Sequence, residues 1–400
     1  MRVLMAHNFY QQPGGEDASF AEDVELLRQH GHDVICYTRH NDEIDGMRSF
    51  SLAAATLWNR ETGREIGELI TCSRPDIVHL HNTFPLLSPS VARAARHAGV
   101  PVVQTLHNYR AICPKAQLFR DGHVCERCVG RTLAWPAIRH ACYRGDRRAT
   151  SVVVALNALQ RTVPAWARAV GRFIVLTDDA RARLIAGGLP AERLVVKPNF
   201  LLSDPGMGDG SGGYALFVGR LSPEKGVETL LDAWRMLQEP IPLKIAGDGP
   251  LANDVRRAAD HDERISALGW CKSDQVLTLL KDAAFLVFPS LWYEGLPRVI
   301  IEAFAAGTPV VGSRLGAMRE LVRHGETGLH ARAGDATDLA RQVAWLFKHP
   351  IERDRLRANA RTEYETRYTA ARNYDLTMAI YQSVLDVQDA STGGRVTMAK

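Results

Sequence analysis

Tyr214-Ala-Leu-Phe-Val218-Gly219-Arg220-Leu-Ser-Pro-Glu-Lys225-Gly226-Val227-Glu-Thr-Leu-Leu-Asp-Ala-Trp-Arg-Met-Leu237 is the unit from which the rest of the chain is built. The unbroken apolar run Tyr214–Val218 reads as a strand buried on both faces. A loop bracketed by Gly219 and Gly226 follows, and Val227–Leu237 then places apolar residues at helical spacing. The order recurs downstream. Leu243–Ala246 ends in Gly247-Asp248-Gly249-Pro250, and Ile265–Leu268 ends in Gly269. Ala284–Phe288 runs through a loop into a helix from Pro297 to Ala306, then a strand at Thr308–Gly312. Short strands alternating with amphipathic helices predict an α/β fold with a mostly parallel, doubly wound sheet.

Upstream the alternation is the same. Met1–Ala6 reads as a strand, Gly14-Gly15 as its loop and Glu16–His30 as a helix. Asp33–Tyr37, Ile77–Leu80, Val102–Thr105 and Phe173–Leu176 are further strands. Between the two series lies Leu202–Gly213, a linker by its glycine, serine and aspartate content. Its Gly208-Asp-Gly210-Ser-Gly212-Gly213 mimics a dinucleotide fingerprint but precedes a strand instead of opening a helix, so linker is the better reading. The predicted organisation is an N-terminal Rossmann-like domain over 1–203, a linker over 204–212, a C-terminal domain over 213–372 and a final helix over 373–390. At 400 residues the chain accommodates two or three domains of about 150.

With 46% hydrophobic and 24% charged residues, the composition excludes disordered and membrane-embedded classes. Lysine and arginine (49) exceed aspartate and glutamate (45) by four, which does not announce a nucleic-acid binder. No run approaches the roughly 20 apolar residues of a membrane span. The opening Met1-Arg-Val-Leu-Met-Ala-His-Asn8 is too short an apolar run for a signal peptide. Seven cysteines cannot all pair with one another, which suits a reducing cytoplasm.

In a doubly wound sheet, ligands bind at the carboxyl ends of the strands, so those loops carry the chemistry. Arg220 and Lys225, five residues apart in one such loop, can face a single polyanion: guanidinium contacts phosphate bidentately and ammonium adds a point charge. The bland alternative is two solvated surface cations. In Tyr293-Glu294-Gly-Leu296-Pro297-Arg298-Val-Ile-Ile-Glu302-Ala-Phe, Pro297 suits the first helical position, and the free amides after it make an anion site. Phosphate repels carboxylates, so Glu294 and Glu302 suit hydroxyls better. They can equally be a surface acid and a helix-capping one.

Glu294 and Glu302 form the Glu-x7-Glu element of the retaining family-four glycosyltransferases of the GT-B fold, which this chain resembles along most of its length. The resemblance includes Pro13-Gly14-Gly15-Glu16, His107-Asn-Tyr, Gly219-Arg220-Leu-x-Pro-Glu-Lys225-Gly226, Gly247-Asp248-Gly249-Pro250, Gly307-Thr-Pro-Val-Val, and Gly316 with Glu320 before Gly325-x-x-Gly328. Leu296 stands where phenylalanine is frequent, and Phe200 after Asn199 where glycine is common.

The resemblance implies two Rossmann-like domains facing across a cleft, with a nucleotide-sugar donor (UDP- or GDP-linked) on the C-terminal half. Its acceptor, a glycan or a lipid-linked molecule, would lie on the N-terminal half. Arg220 and Lys225 would neutralise the diphosphate, Glu302 hold the ribose and Glu294 the sugar. Gly247, Asp248, Gly249 and Gly269 would border the base, and Leu296, Pro297 and Arg298 would open the helix beneath the phosphates. Gly14 and Gly15 would approach the diphosphate through their amides. His107 would contact the sugar or the transition state, with Glu294 as its catalytic partner. No metal is required for transfer, and the final helix would cross back to the N-terminal domain.

Two further features are independent of the resemblance. Cys113, Cys125, Cys128 and Cys142 have spacing that suits a structural zinc stapling a long excursion after His107. Small buried residues, or a redox pair at Cys125/Cys128, are the alternatives. From Val129 to Arg172, Arg131, Arg139, Arg144, Arg147, Arg148, Arg161, Arg168 and Arg172 face a single acid, Asp146, with Trp135, Tyr143 and Trp166 among them. That mixture suits anionic lipid headgroups, giving a cytoplasmic protein that is peripheral at the inner membrane face, or simply a solvated helical face. His79-Leu-His81 has a metal-ligand spacing but no accompanying ligand set. The rival readings are a nucleotide-sugar epimerase of the same fold and a non-catalytic nucleotide-sugar-binding protein.

Overall fold

The computed structural model describes residues 1–12, 14–163 and 168–396, with side chains described through 387. Pro13 of the glycine loop and Trp166 of the basic segment lie outside the described residues. So do the side chains at 388–390 of the expected final helix.

Two units form. Unit 1 contains Met1–Gln117, Glu126–Leu202 and the chain from Ala370; unit 2 contains Leu118–Cys125 and Ser203–Thr369. Unit 1 is built on β1 (Arg2–Phe9), β2 (Asp33–His40), β3 (Ile77–Leu80) and β4 (Val102–Leu106). A two-stranded hairpin of β5 (Phe119–Arg120) and β6 (His123–Val124) groups with unit 2, and β7 (Arg172–Val175) and β8 (Leu194–Val196) complete unit 1. The sheet order is β2-β1-β3-β4-β7-β8, all parallel. Val3–Ala6 is wholly buried, because helices cover both faces of a parallel sheet.

Unit 2 repeats the design with β9 (Ala215–Val218), β10 (Leu243–Ala246), β11 (Ile265–Gly269), β12 (Phe285–Phe288), β13 (Val310–Ser313) and β14 (Gly328–Ala331), in the order β11-β10-β9-β12-β13-β14. Strand order reverses between β1 and β3 in unit 1 and between β9 and β12 in unit 2. In open α/β sheets, ligands bind outside the carboxyl ends of the strands at such a reversal.

Three readings are corrected or extended. The stretch read as a linker is packed on unit 2: the amides of Gly208, Gly210 and Gly212 donate to Ala306, Lys281 and Asp282 carbonyls at 3.0, 2.9 and 3.0 Å. A Cβ on Gly208 would stand 2.2 Å from the Lys281 carbonyl oxygen, so close backbone approach explains that glycine. The helix read from Pro297 runs Arg298–Ala305, with Pro297 as its extended N-cap. The excursion after His107 is not featureless, since it contains the β5–β6 hairpin and a helix at Trp135–Arg139.

The last helix, Ala370–Val396, packs within unit 1. Ile380, Tyr381 and Val384 join Val3, Met5 and Phe20 in one buried cluster. The Tyr374 hydroxyl bonds His32 Nε2 at 2.9 Å.

Candidate active site

In unit 2 the loop after β9 turns through a short 3-10 segment, Pro223–Lys225, which docks on the loop after β12. Leu291 N–H donates to the Glu224 carbonyl at 2.8 Å, and Ser290 Oγ stands 3.3 Å from the same carbonyl oxygen. That docking brings Lys225 to Glu294. Glu294 Oε1 accepts from Lys225 Nζ (2.8 Å), Ser290 Oγ (2.7 Å) and Trp292 Nε1 (2.6 Å). Glu294 is buried, and the half-buried Lys225 ammonium also lies 5.3 Å from the Trp292 ring centroid and 5.5 Å from that of Phe288. Such a carboxylate, held by an ammonium and two neutral donors, is fixed in position.

Around this pair, Arg220 is exposed at the carboxyl end of β9. Leu296 is buried under the start of the Arg298–Ala305 helix, while Arg298 and Glu302 face each other one turn apart at 3.5 Å. Gly247 donates its N–H to the Gly269 carbonyl at 2.7 Å, and a Cβ there would stand 1.9 Å from the Gly219 carbonyl oxygen. Only glycine lets the loops after β9 and β10 touch. Asp248 is exposed and accepts the Gly249 amide at 2.8 Å. Gly269 is exposed with φ of 70°.

In unit 1 the Gly14 amide is already committed to Asp17 Oδ2 at 2.9 Å, which changes the expectation that it offers a free donor to phosphate. Gly15 opens the helix Gly15–Gln29. His107 follows β4, its Nε2 3.1 Å from His81 Nδ1. Burial, helped by His7 and Lys197, holds its pKa down to about 3, so the imidazole is neutral at ordinary pH. His79 and His81 are likewise pushed well below the usual histidine value by burial. His79 is bonded on both sides, by Tyr381 Oη at 2.7 Å and Thr105 Oγ1 at 2.8 Å. Beneath them Lys197 Nζ donates to Asp23 Oδ1 (3.0 Å) and Asn373 Oδ1 (2.9 Å). The two strand-face histidines therefore belong to a polar network closed by the last helix.

Sequence reasoning missed Ser290, Trp292, Lys197 and Tyr381 as parts of these networks. It also passed over Glu16, although that residue directly follows the glycine pair. Glu16 accepts from Tyr10 Oη and from Asn108 Nδ2 (3.0 Å), and burial raises its pKa. With His107 it lines a cavity of about 420 Å³ in unit 1.

Among the described residues, no three histidine, cysteine, aspartate or glutamate side chains are grouped to hold a metal ion. Cys113, Cys128 and Cys142 lie in unit 1 and Cys125 in unit 2. Cys128 packs with Ala134, Ala137 and Val154, with Cys142 against them, as small apolar residues do. No disulfide forms. Of the basic segment, Arg131, Arg139, Arg144, Arg147 and Arg148 are exposed beside exposed Leu133 and Trp135, whereas Arg161 turns inward. No helix among the described residues is long and apolar enough to cross a membrane.

Residues 209–363 match the family described as glycosyl transferases group 1, and residues 14–199 match a glycosyl transferase 4-like domain. The phosphatidyl-myo-inositol mannosyltransferase of Mycobacterium leprae is 30% identical over 264 residues, 62% of this chain and 68% of that protein. The 2-deoxystreptamine glucosyltransferase of Streptomyces kanamyceticus is 30% identical over 293 residues, 69% of each. An uncharacterized glycosyltransferase of Methanocaldococcus jannaschii is 31% identical over 155 residues, and the chain spans 43% of its length. Among solved structures, the Anabaena protein Alr3699/HepE in complex with UDP superposes at a TM-score of 0.66 with 18% identity, covering 98% of this chain and 100% of that one. Sucrose-phosphate synthase of Thermosynechococcus elongatus gives 0.67 with 17% identity, over 96% and 99%. The fold is GT-B.

Proposed function

The chain belongs to the glycosyl transferases group 1, and from that premise we propose that it moves a sugar, with retention of configuration, from a nucleotide-sugar donor (UDP- or GDP-linked) to a glycan or lipid-linked acceptor in polysaccharide or glycoconjugate assembly. The observation that carries this reading is the Lys225–Glu294 pair at the strand-order reversal of unit 2, with Arg220 exposed alongside. The Anabaena protein of the same fold is solved with UDP and with UDP-glucose, and one sequence relative is named for mannosyl transfer to phosphatidyl-myo-inositol.

In this reading Arg220 and Lys225 meet the donor diphosphate, and the N-terminus of the Arg298–Ala305 helix adds its dipole and free amides. Glu302 takes the ribose diol and Glu294 a sugar hydroxyl. As the bond from the anomeric carbon to the diphosphate oxygen breaks, its electron pair goes to the diphosphate, where fixed cations stabilise the new charge. The acceptor hydroxyl attacks the same face and passes its proton to the departing phosphate oxygen. Neutral His107 donates or accepts a hydrogen bond at the sugar without needing to ionise. The positive charge comes from side chains and the helix end, so transfer runs without a metal.

A thermal-shift panel of UDP-, GDP- and ADP-sugars tests the reading, because a ligand raises stability in proportion to RT ln(1 + [L]/Kd). One donor class is expected to raise the midpoint of the wild-type protein and to lose that effect in Lys225→Ala. No shift with any nucleotide sugar removes the reading.

The exposed arginines 131, 139, 144, 147 and 148 with Leu133 and Trp135 support contact with an anionic membrane surface, a peripheral placement that suits a lipid-linked acceptor. Salt-sensitive flotation with anionic vesicles is expected. Absence of flotation at low salt rejects it.

A further inference from the structure

The cavity of unit 1 carries a charge imbalance that the donor chemistry does not use. Four guanidinium groups line it, from Arg110, Arg161, Arg168 and Arg193, against one lining carboxylate, Glu16. At about 420 Å³ it falls within the size range of small-ligand sites.

Among the described residues, no carboxylate is bonded to Arg110 or Arg161. Arg161 donates through Nη1 to the Arg131 carbonyl and through Nη2 to the Ala111 carbonyl, both at 2.7 Å. Its Nε is buried with no hydrogen-bond partner. Burial lowers the Arg161 pKa, the mark of a charge whose compensation is incomplete. Arg110 donates to the Pro114 carbonyl at 3.1 Å, and its guanidinium lies 4.1 Å over the Phe84 ring. These contacts orient the two groups and leave their charge in place. The single acid, Glu16, is held by Tyr10 Oη and Asn108 Nδ2 and is one carboxylate against four guanidinium groups on the lining. Leu156, Phe173 and Leu189 supply apolar wall beside them. Cations held by carbonyls in a part-apolar cavity are stabilised by a bound anion, and a planar guanidinium matches the oxygens of phosphate.

We propose that this cavity selects the acceptor by a phosphate group, seated against Arg161 and Arg110, with the rest of the acceptor along the Leu156 and Phe173 wall. The proposal rests on the reading of the chain as a glycosyltransferase whose acceptor binds unit 1. It adds the acceptor's chemical class.

Isothermal titration of the whole chain tests it with three probes below their micellar concentrations: n-octyl phosphate, glucose 6-phosphate and n-octyl β-glucoside. At least one phosphate is expected to bind tenfold or more tightly than the neutral glucoside. Preference for octyl phosphate assigns a lipid phosphate, and preference for glucose 6-phosphate a soluble one; either supports the proposal. Arg161 braces two backbone segments, so its removal risks the fold. Gln160→Glu instead places a carboxylate on the same lining while keeping every guanidinium. It is expected to weaken the preferred phosphate at least tenfold at an unchanged melting midpoint, and Arg110→Gln to do the same. Equal binding of the glucoside, no binding of either phosphate, or unchanged affinity in both variants overturns the proposal. A UDP-glucose and GDP-mannose titration of the same preparation separates the two levels. Its failure counts against the donor reading, whatever the phosphate probes show.

Discussion

Lys225 and Glu294, 69 residues apart in the chain, stand 2.8 Å apart at the carboxyl ends of β9 and β12. The loop that holds the lysine reaches the loop that holds the glutamate through the Leu291 N–H bond to the Glu224 carbonyl, so neither side chain is placed by its own loop alone.

Replacing Lys225 by alanine removes a charge from the proposed diphosphate position and one of the donors on Glu294. Loss of one preorganised donor at a developing charge costs roughly 10²- to 10³-fold in turnover. Steady-state transfer assays should show that loss, while circular dichroism stays native. Full turnover by the folded variant contradicts the diphosphate role.

Gly247→Ala is expected to cost about 2 kcal/mol or more and to weaken nucleotide-sugar binding, since the added Cβ would meet the Gly219 carbonyl at 1.9 Å. Urea unfolding measures the first effect and calorimetry the second. An alanine variant of wild-type stability would show that the two loops separate freely.

His107, His79 and His81 are neutral in the folded protein, with pKa values lowered by burial, His107 to about 3. In the unfolded chain a histidine takes up a proton near pH 6.5. The unfolded state therefore binds more protons below that value. Stability from these groups is full above about pH 6.5 and declines as pH falls toward the folded pKa values, by up to about 1.4 kcal/mol per pH unit for each histidine. Urea midpoints between pH 7.5 and 4.5 should fall along that line, and His107→Gln should flatten the slope by about one proton. A slope unaltered in the variant places His107 outside the buried network.

Tyr381→Phe leaves the ring in place but deprives His79 Nδ1 of its partner at 2.7 Å. A buried polar group left unsatisfied costs about 1–3 kcal/mol. Chemical denaturation should register that loss with an unchanged dependence on denaturant. A neutral result would mean that the Tyr381–His79 bond adds nothing to the hold of the last helix on unit 1.

The α/β class was legible because apolar runs and helical spacing are local properties of the chain. Ile77–Leu80 and Leu243–Ala246 are strands over the residues their apolar runs mark, and elsewhere the predicted elements shift by a few positions. The short edge strands Leu194–Val196 and Gly328–Ala331 went unread: one has only three residues, and the other opens on glycine and carries a histidine. Composition misled at Gly208, where glycine marks tight packing on Lys281. Spacing alone places the four cysteines at ligand-like intervals, while the structure puts Cys128 and Cys142 in one packed apolar cluster with Ala134 and Ala137.

Residue order alone thus sets two series of strand, loop and helix, and places Arg220, Lys225, Glu294 and Glu302 in or just after strand-end loops. Tertiary structure decides which side chains then meet. It joins Lys225 to Glu294, links His79 to Tyr381 across 302 residues, and encloses a cavity lined by arginines around His107. The reason is geometric. Periodicity specifies which face of an element is apolar, whereas the distance between two strand-end loops depends on strand order and register, which are settled only when the whole sheet closes.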